Sequence, residues 1–268
     1  MSIKHKRHAE TMPLPGRLAV TLGLALILLL IGNSAALAQE APSVVGQVRE
    51  IEPDTLGLSN PAGLAFSPAG NVFYVVQARQ PGRAPALSSD IRVLSASPAS
   101  DQAGMVRVLA AIPDPLNMAF DGKANRLLLY QPATLELIDI TAGPDGQLDS
   151  TTLTRHHVPH FGLRSPQGMT VDPASGRLFV LDSIGPRIVR IEPGPDGGFG
   201  KAAISRLDLV DANLSGLRGL AFNPPNGHLY TLRPSQQMLY ELTQTGRIVA
   251  SHDLSSLALR DSQGLVFA

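Results

Sequence analysis

The sequence predicts an all-β fold, a β-propeller made of four-stranded antiparallel blades. Five segments share one pattern, in which a short apolar strand meets a turn rich in Pro, Gly, Asn and Asp and a second strand often follows. An independent landmark, Gly-Pro-Asp-Gly, occurs at residues 143–146 and again 51 residues later at 194–197. Helical periodicity is lacking after residue 38. Four strands in a repeat of about 40–50 residues are typical of a propeller blade.

The first strand of each unit carries an equivalent apolar residue, and these anchors lie 54, 51, 51 and 45 residues apart. The anchors are Phe66, Phe120, Val171, Phe222 and Phe267. Three further strands follow in each complete unit, for example RLFVLD, RIVRI and AISRLDL in the third unit. A single unit cannot bury both of its faces, so the repeat indicates blades that pack on one another around an axis.

The two ends of the repeat region predict partial strands. Residues 44–66 align with residues 244–267, so the region opens on a fourth strand at 47–51 and stops on a first strand at 264–267. Between them lie four complete blades. The second and third strands of a last, shared blade are absent, and an open sheet edge favours aggregation. We therefore expect a propeller truncated at its C-terminus; the alternative is a five-bladed protein with a defective last blade.

The first 38 residues are predicted to be a signal peptide. Four basic residues precede or flank an uncharged apolar run at 18–31, and Ala36-Leu37-Ala38 offers a cleavage site. The alternative is an uncleaved anchor, because residues 18–38 are uncharged and long enough to span a bilayer. The expected domains are thus a leader, 1–38, and a propeller, 39–268, in a secreted, periplasmic or cell-surface protein.

Charge and cysteine content exclude several classes of function. Residues 39–268 hold 18 basic and 21 acidic residues without a basic run, which argues against nucleic acid and anionic membrane surfaces as partners. A membrane contact is expected only through an uncleaved N-terminal segment, if at all. The chain has no cysteine, so disulfides and thiolate chemistry are excluded.

Residues 165–193, SPQGMTVDPASGRLFVLDSIGPRIVRIEP, resemble an NHL repeat, with a G-[LM]-[AT]-[FV] strand, a D-P-x-[ST]-G turn and two further strands. The fourth unit and the C-terminal residues are similar to propellers of bacterial extracellular proteins and of the SdiA-regulated family. The resemblance covers about residues 44–268. It implies the propeller fold and leaves the function open, because such propellers serve as binding modules, hydrolases, lyases and lactonases.

Propeller topology brings two classes of loops to one face, where ligands usually bind around the channel. The polar residues that this topology collects predict a site for a protein, a glycan or a small polar ligand. The candidate ligand-binding residues are Asn117, Gln167, Asp182, Arg187, Arg218, Arg233 and Gln263. Arg218 and Arg233 are singled out because a guanidinium can bind a carboxylate in a bidentate manner. For any one of these residues, the alternative is that it solubilises a blade edge.

No catalytic residue, metal site or cofactor is predicted. His156, His157 and His160 lie in TRHHVPHFG, where H-x-x-H could bring two imidazoles to one metal. No carboxylate or further His lies nearby in sequence, and alternation along a strand sends His156 and His157 to opposite faces. Asp145 and Asp196 lie in Asp-Gly turns that explain them without calcium. A G-x-S-x-G motif and a phosphate-binding loop are both absent.

The expected function is therefore non-enzymatic recognition or scaffolding. The alternative is a gluconolactonase-like or phosphodiesterase-type metal-dependent hydrolase whose site is completed by missing blades. PAGLAFSPAGNVFYVV, from Pro61, resembles the strand pair of gluconolactonases, but Ala62 stands where that family has a metal-ligating Asn. Asn117 and Asp182 could supply two ligands, and no Glu ligand can be assigned.

Overall fold

A computed structural model describes residues 61–77, 89–96, 103–108, 117–209, 214–257, 259 and 264–268. The predicted leader, 1–38, the predicted strand at 47–51 and the candidate residue Gln263 lie outside the described residues. Within the described ranges no helix is long and apolar enough to cross a membrane.

The described chain is all-β and forms four antiparallel four-stranded sheets in a ring, a four-bladed β-propeller. The strands of blades 1 and 2 follow one another as meanders. They are β1 (Pro61–Ser67), β2 (Val72–Gln77), β3 (Ser89–Ser95), β4 (Ala103–Val108), β5 (Asn117–Asp121), β6 (Arg126–Gln131), β7 (Glu136–Thr141) and β8 (Thr154–His157). Blades 3 and 4 repeat the order. Their strands are β9 (Pro166–Val171), β10 (Leu178–Asp182), β11 (Arg187–Glu192), β12 (Ala203–Asp208), β13 (Arg218–Asn223), β14 (His228–Arg233), β15 (Met238–Leu242) and β16 (Ile248–Asp253).

The turns follow from local sequence. Each turn between the first and second strands ends on a residue with positive φ, which is Asn71, Asn125, Gly176 or Gly227. The Gly-Pro-Asp-Gly turns close the hairpins of the third and fourth strands in blades 2 and 3. Gly146 and Gly197 have φ values of 77° and 76°, a backbone conformation that glycine adopts without steric cost.

The hydrophobic core consists of separate layers between consecutive blades. Along each second strand, alternate side chains face the preceding and the following blade. In blade 2, for instance, Leu127 packs towards blade 1, whereas Leu128 packs towards blade 3. Phe179 and Leu229 meet in the layer between blades 3 and 4. Most of these side chains are fully buried, so burial between neighbouring blades stabilises the ring.

The C-terminal residues 264–268 occupy a fifth position among the inner strands. A Cβ atom placed on Gly219 of blade 4 would lie 3.1 Å from Leu265 Cβ, and one placed on Gly264 would lie 3.5 Å from Leu64 Cβ of blade 1. The segment therefore lies between the first strands of blades 4 and 1. The predicted all-β propeller with four complete blades is confirmed, whereas residues 264–268 form no regular strand.

Candidate functional site

The first strands begin, and the second strands end, on the same face of the ring, which we call the entry face. The described candidates lie at strand ends on this face, and Gln263 lies outside the described residues. Each second strand ends on a polar residue, and repeat equivalence relates Gln77, Gln131, Asp182 and Arg233. The environments of Gln131, Asp182 and Arg233 differ sharply.

Asp182 is fully buried, and its carboxylate is saturated by hydrogen bonds. Oδ1 accepts from Ser165 N at 2.8 Å, and Oδ2 accepts from Arg164 N at 3.2 Å. Arg187 lies opposite Asp182 on the neighbouring strand and donates to Oδ2 from Nη2 at 2.8 Å and from Nε at 3.2 Å. The same guanidinium donates to Gly162 O at 3.0 Å. The Asp182–Arg187 pair thus ties the loop that leads into β9 to strands β10 and β11.

Gln131 and Arg233 occupy the same strand end in blades 2 and 4 without such partners. Gln131 is 2% exposed, and among the described residues its Oε1 finds no hydrogen-bond donor. Arg233 is half-buried, and its Nε is buried without an acceptor in the described part of the chain. An acceptor and a cationic donor with unmet hydrogen-bonding capacity therefore lie on the entry face. Buried polar atoms of this kind carry a desolvation cost unless they are paired.

Asn117 begins β5 and lies one repeat position further along its unit than Gln167 and Arg218. At the repeat position of Asn117, the other four units have a glycine: Gly63, Gly168, Gly219 and Gly264. Glycine is required where the inner strands approach, since a Cβ on Gly168 would lie 2.5 Å from Leu220 N. In blade 2 the asparagine side chain is accommodated, and its Nδ2 donates to Pro166 O at 3.3 Å. Its Oδ1 has no donor among the described residues.

The remaining candidates are distributed around the same face. Gln167 is half-buried and donates from Nε2 to Ser165 Oγ at 3.3 Å. Arg218 begins β13 and is half-buried, and its carbonyl oxygen accepts from Thr231 Oγ1 at 3.4 Å. Arg218 pairs with Leu232 across strands, so the backbones of Arg218 and Arg233 lie at the same end of blade 4.

Tyr130 belongs to this region and was missed by the sequence reasoning. It pairs with Asn117 across strands, is 1% exposed, and its ring stacks on Phe161 with centroids 6.5 Å apart. Its hydroxyl has no hydrogen-bond partner among the described residues. Burial, and then the negative charge of Asp182, raise the pKa of Tyr130. Its position beside Gln131 at the end of the repeat's second strand was the signal that could have found it.

At the opposite end of the inner strands, the side chains are mostly apolar. The cavity there measures about 80 Å³ and is lined by inner-strand side chains that include Phe66, Phe120, Phe222 and Phe267. Three prolines form part of its rim, each in the turn between the first and second strands of its blade: Pro68, Pro173 and Pro224. The polar ligand expected from the sequence stays a prediction.

The histidines and the Asp-Gly turns have structural partners. His156 contacts Asp139 Oδ2 through Nε2 at 2.9 Å, whereas His157, its neighbour on β8, is exposed. Asp145 Oδ1 accepts from Gln147 N at 3.1 Å, and Asp196 Oδ1 accepts from Gly198 N at 3.0 Å. Each aspartate therefore braces its own turn. Among the described residues, no three His, Asp or Glu side chains are placed to hold a metal ion.

Comparison with known proteins supports the fold. No family model and no curated protein matches the sequence. An auxiliary nutrient-binding protein from Bacteroides thetaiotaomicron is similar in structure, with a TM-score of 0.51, 11% identity, and coverage of 79% of this chain and 55% of that one. A periplasmic gluconolactonase from Pseudomonas aeruginosa has a TM-score of 0.47 and 16% identity, with coverage of 81% of this chain and 62% of that one. A 6-phosphogluconolactonase-like protein from Bacteroides uniformis has a TM-score of 0.47 and 19% identity, with coverage of 73% of this chain and 57% of that one.

This chain spans little more than half the length of these three proteins. At identities this low the likeness concerns the fold alone. It supports the β-propeller fold, and the resemblance to NHL repeats stays a sequence-based prediction.

Proposed function

We propose that this protein is an exported recognition module that binds a polar, carboxylate-bearing ligand on the entry face. The observation that carries the proposal is the pair of unmatched polar groups at equivalent strand ends, Gln131 Oε1 and Arg233 Nε. Arg218 begins the strand next to Arg233, at the same end of blade 4. An anionic oxygen suits the guanidinium of Arg233, and a hydroxyl or amine of the ligand suits the amide oxygen.

Charge around the inner part of this face supports an anionic ligand. The carboxylate of Asp182 is paired with Arg187, whereas the Nε atom of Arg233 has no acceptor among the described residues. The guanidinium of Arg233 attracts an anion. Asp182 is poorly suited to act as a general base or a metal ligand, because either role competes with four existing hydrogen bonds.

The test compares two sugars that differ mainly in one carboxylate, glucuronate and glucose, by calorimetric titration and thermal shift. We expect glucuronate to raise the melting temperature and glucose to leave it nearly unchanged. Arg233→Met should abolish the difference. Arg247→Met is the matched control, because Arg247 is exposed in a turn on the opposite face. Equal responses to the two sugars, or an undiminished response in Arg233→Met, contradict the proposal.

Export is the second part of the proposal. It rests on the predicted leader at 1–38, and one neighbour in structure is described as a periplasmic gluconolactonase. The intact mass of the native protein in periplasmic, membrane and medium fractions tests it. A species that starts at Gln39 supports cleavage, whereas a membrane-bound species that keeps residues 1–38 supports an anchor.

A further inference from the structure

Blade 2 departs from the repeat at two positions that face each other across its first two strands. Asn117 stands where the other four units have a glycine, and Tyr130 stands where the other three blades have an apolar residue. The equivalents of Tyr130 are Val76, Leu181 and Leu232. Asn117 and Tyr130 are cross-strand partners, as the glycine and the apolar residue are in blades 1 and 3. Blade 2 therefore has two polar side chains where those blades pair a glycine with an apolar residue.

Both side chains lie at the boundary between blades 2 and 3, at the end nearest the entry face. Asn117 Nδ2 donates to Pro166 O at 3.3 Å, and Pro166 is the cross-strand partner of Asp182. Tyr130 packs in the apolar layer between these two blades, with its ring stacked on Phe161. Burial, and then the negative charge of Asp182, raise the pKa of Tyr130, so its hydroxyl lies near that carboxylate. The two polar groups therefore belong to one corner of the blade 2–3 boundary.

Neither polar group is satisfied within the described ranges. Asn117 and Tyr130 are each 1% exposed, Asn117 Oδ1 finds no donor, and the Tyr130 hydroxyl finds no partner. A buried polar atom without a partner destabilises the folded state. Tyr74 of blade 1 provides the contrast, because it packs against the next blade in the same way but donates its hydroxyl to Gly146 O at 2.6 Å. Packing alone would favour an apolar residue at position 130, as in the other blades.

The chemistry of the two groups defines what they can bind. Departures from a repeat that cost stability are expected at functional positions. An amide oxygen only accepts a hydrogen bond, whereas a phenol hydroxyl both donates and accepts. A carboxylate cannot donate to Asn117 Oδ1, and an ammonium group cannot accept the Tyr130 proton. An alcohol hydroxyl does both.

We propose that Asn117 and Tyr130 recognise a hydroxyl group of the ligand on the entry face, so that this ligand is a hydroxy acid. The assignment rests on the proposed function, in which Arg233 binds the carboxylate of the same molecule. Because Asn117 Oδ1 and the Tyr130 hydroxyl are buried, the ligand reaches them only when neighbouring side chains shift. The stability lost to the two unpaired groups is then recovered in the complex.

The test compares two acids that share a six-membered ring, glucuronate and tetrahydropyran-2-carboxylate, of which the second carries no hydroxyl. In calorimetric titration, the wild type should bind glucuronate more tightly. Tyr130→Phe should weaken glucuronate binding about fivefold, the equivalent of one hydrogen bond of roughly 1 kcal/mol, and leave the affinity for the second acid unchanged. Asn117→Gly introduces the residue of the other four units and should act in the same way.

Thermal unfolding supplies a second readout, with Tyr74→Phe as the matched control. Tyr130→Phe removes an unpaired hydroxyl and should raise the melting temperature by about 2–4 °C. Tyr74→Phe removes a paired hydroxyl, so it should lower the melting temperature and leave both affinities unchanged.

The outcomes separate this assignment from the carboxylate site. Equal affinities of the wild type for the two acids overturn the hydroxyl assignment and leave the carboxylate site standing. The same holds if Tyr130→Phe binds glucuronate as the wild type does, or if it melts at a lower temperature, since its hydroxyl then has a structural role. If neither acid binds, the proposed function fails, and the hydroxyl assignment fails with it.

Discussion

Replacing Asp182 with alanine tests whether this residue supports the fold or awaits a ligand. The variant leaves the Arg187 guanidinium, whose side chain is 17% exposed, without its carboxylate, and leaves the Arg164 and Ser165 amides without their acceptor. Removing one partner of a buried ion pair costs about 3–5 kcal/mol. For a domain of this size, 1 kcal/mol shifts the melting temperature by about 2–4 °C, so the midpoint should fall by roughly 6–20 °C.

The assay is thermal unfolding followed by circular dichroism, with two comparison variants. Asp196→Ala removes an exposed carboxylate that braces one turn, and should change the midpoint far less. Asp182→Ala combined with Arg187→Met removes both charges and should recover part of the loss, since partners in one network are not additive. A fall of less than about 2 °C in Asp182→Ala would refute the reasoning, because it implies that the pair contributes little to folding.

Three further outcomes are expected. In denaturant unfolding, Gly168→Ala should destabilise the protein strongly, because its Cβ would lie 2.5 Å from Leu220 N. Gly200→Ala should be nearly neutral, because no atom lies within 4 Å of its Cβ. Burial raises the pKa of Tyr74 to about 12, above its value near 10 in the unfolded chain. Its stabilising contribution is therefore complete below pH 10 and is lost as the pH rises towards 12. The free energy of unfolding should fall less steeply with pH in this range for Tyr74→Phe than for the wild type. Identical pH dependences of the two proteins contradict this assignment. Under the recognition proposal, a calorimetric melt should be unchanged by chelator and by added calcium; a midpoint that falls on chelation supports the metal-dependent hydrolase instead.

Repeat patterns explain why the strands and turns were predictable. Alternation of apolar residues and the glycine at positions such as 146 and 197 are local signals. Because each signal is repeated in several units, a wrong strand boundary predicted in one unit can be corrected by comparison with the others. The polar residue that ends each second strand is visible in the same alignment. Its presence on the entry face could be predicted for Gln131, Asp182 and Arg233 alike.

What each of these residues contacts could not be predicted. Asp182 is saturated because the loop before β9 turns its Arg164 and Ser165 amides towards it, which depends on the packing of the third blade. Arg233 shares its strand position and has no such loop partner in the described residues. The place of Asn117 could have been found by aligning its unit with the glycines of the other four. The reach of Tyr74 into the next blade depends on tertiary structure that no single repeat encodes.

The glycines that share the repeat position of Asn117 leave little space where the inner strands approach. The pocket beside Gly63, Gly168, Gly219 and Gly264 measures about 10 Å³, close to the minimum for a single water molecule. A ligand bound at either end of the inner strands should therefore contact the side chains of that end, and substitutions there should alter its specificity.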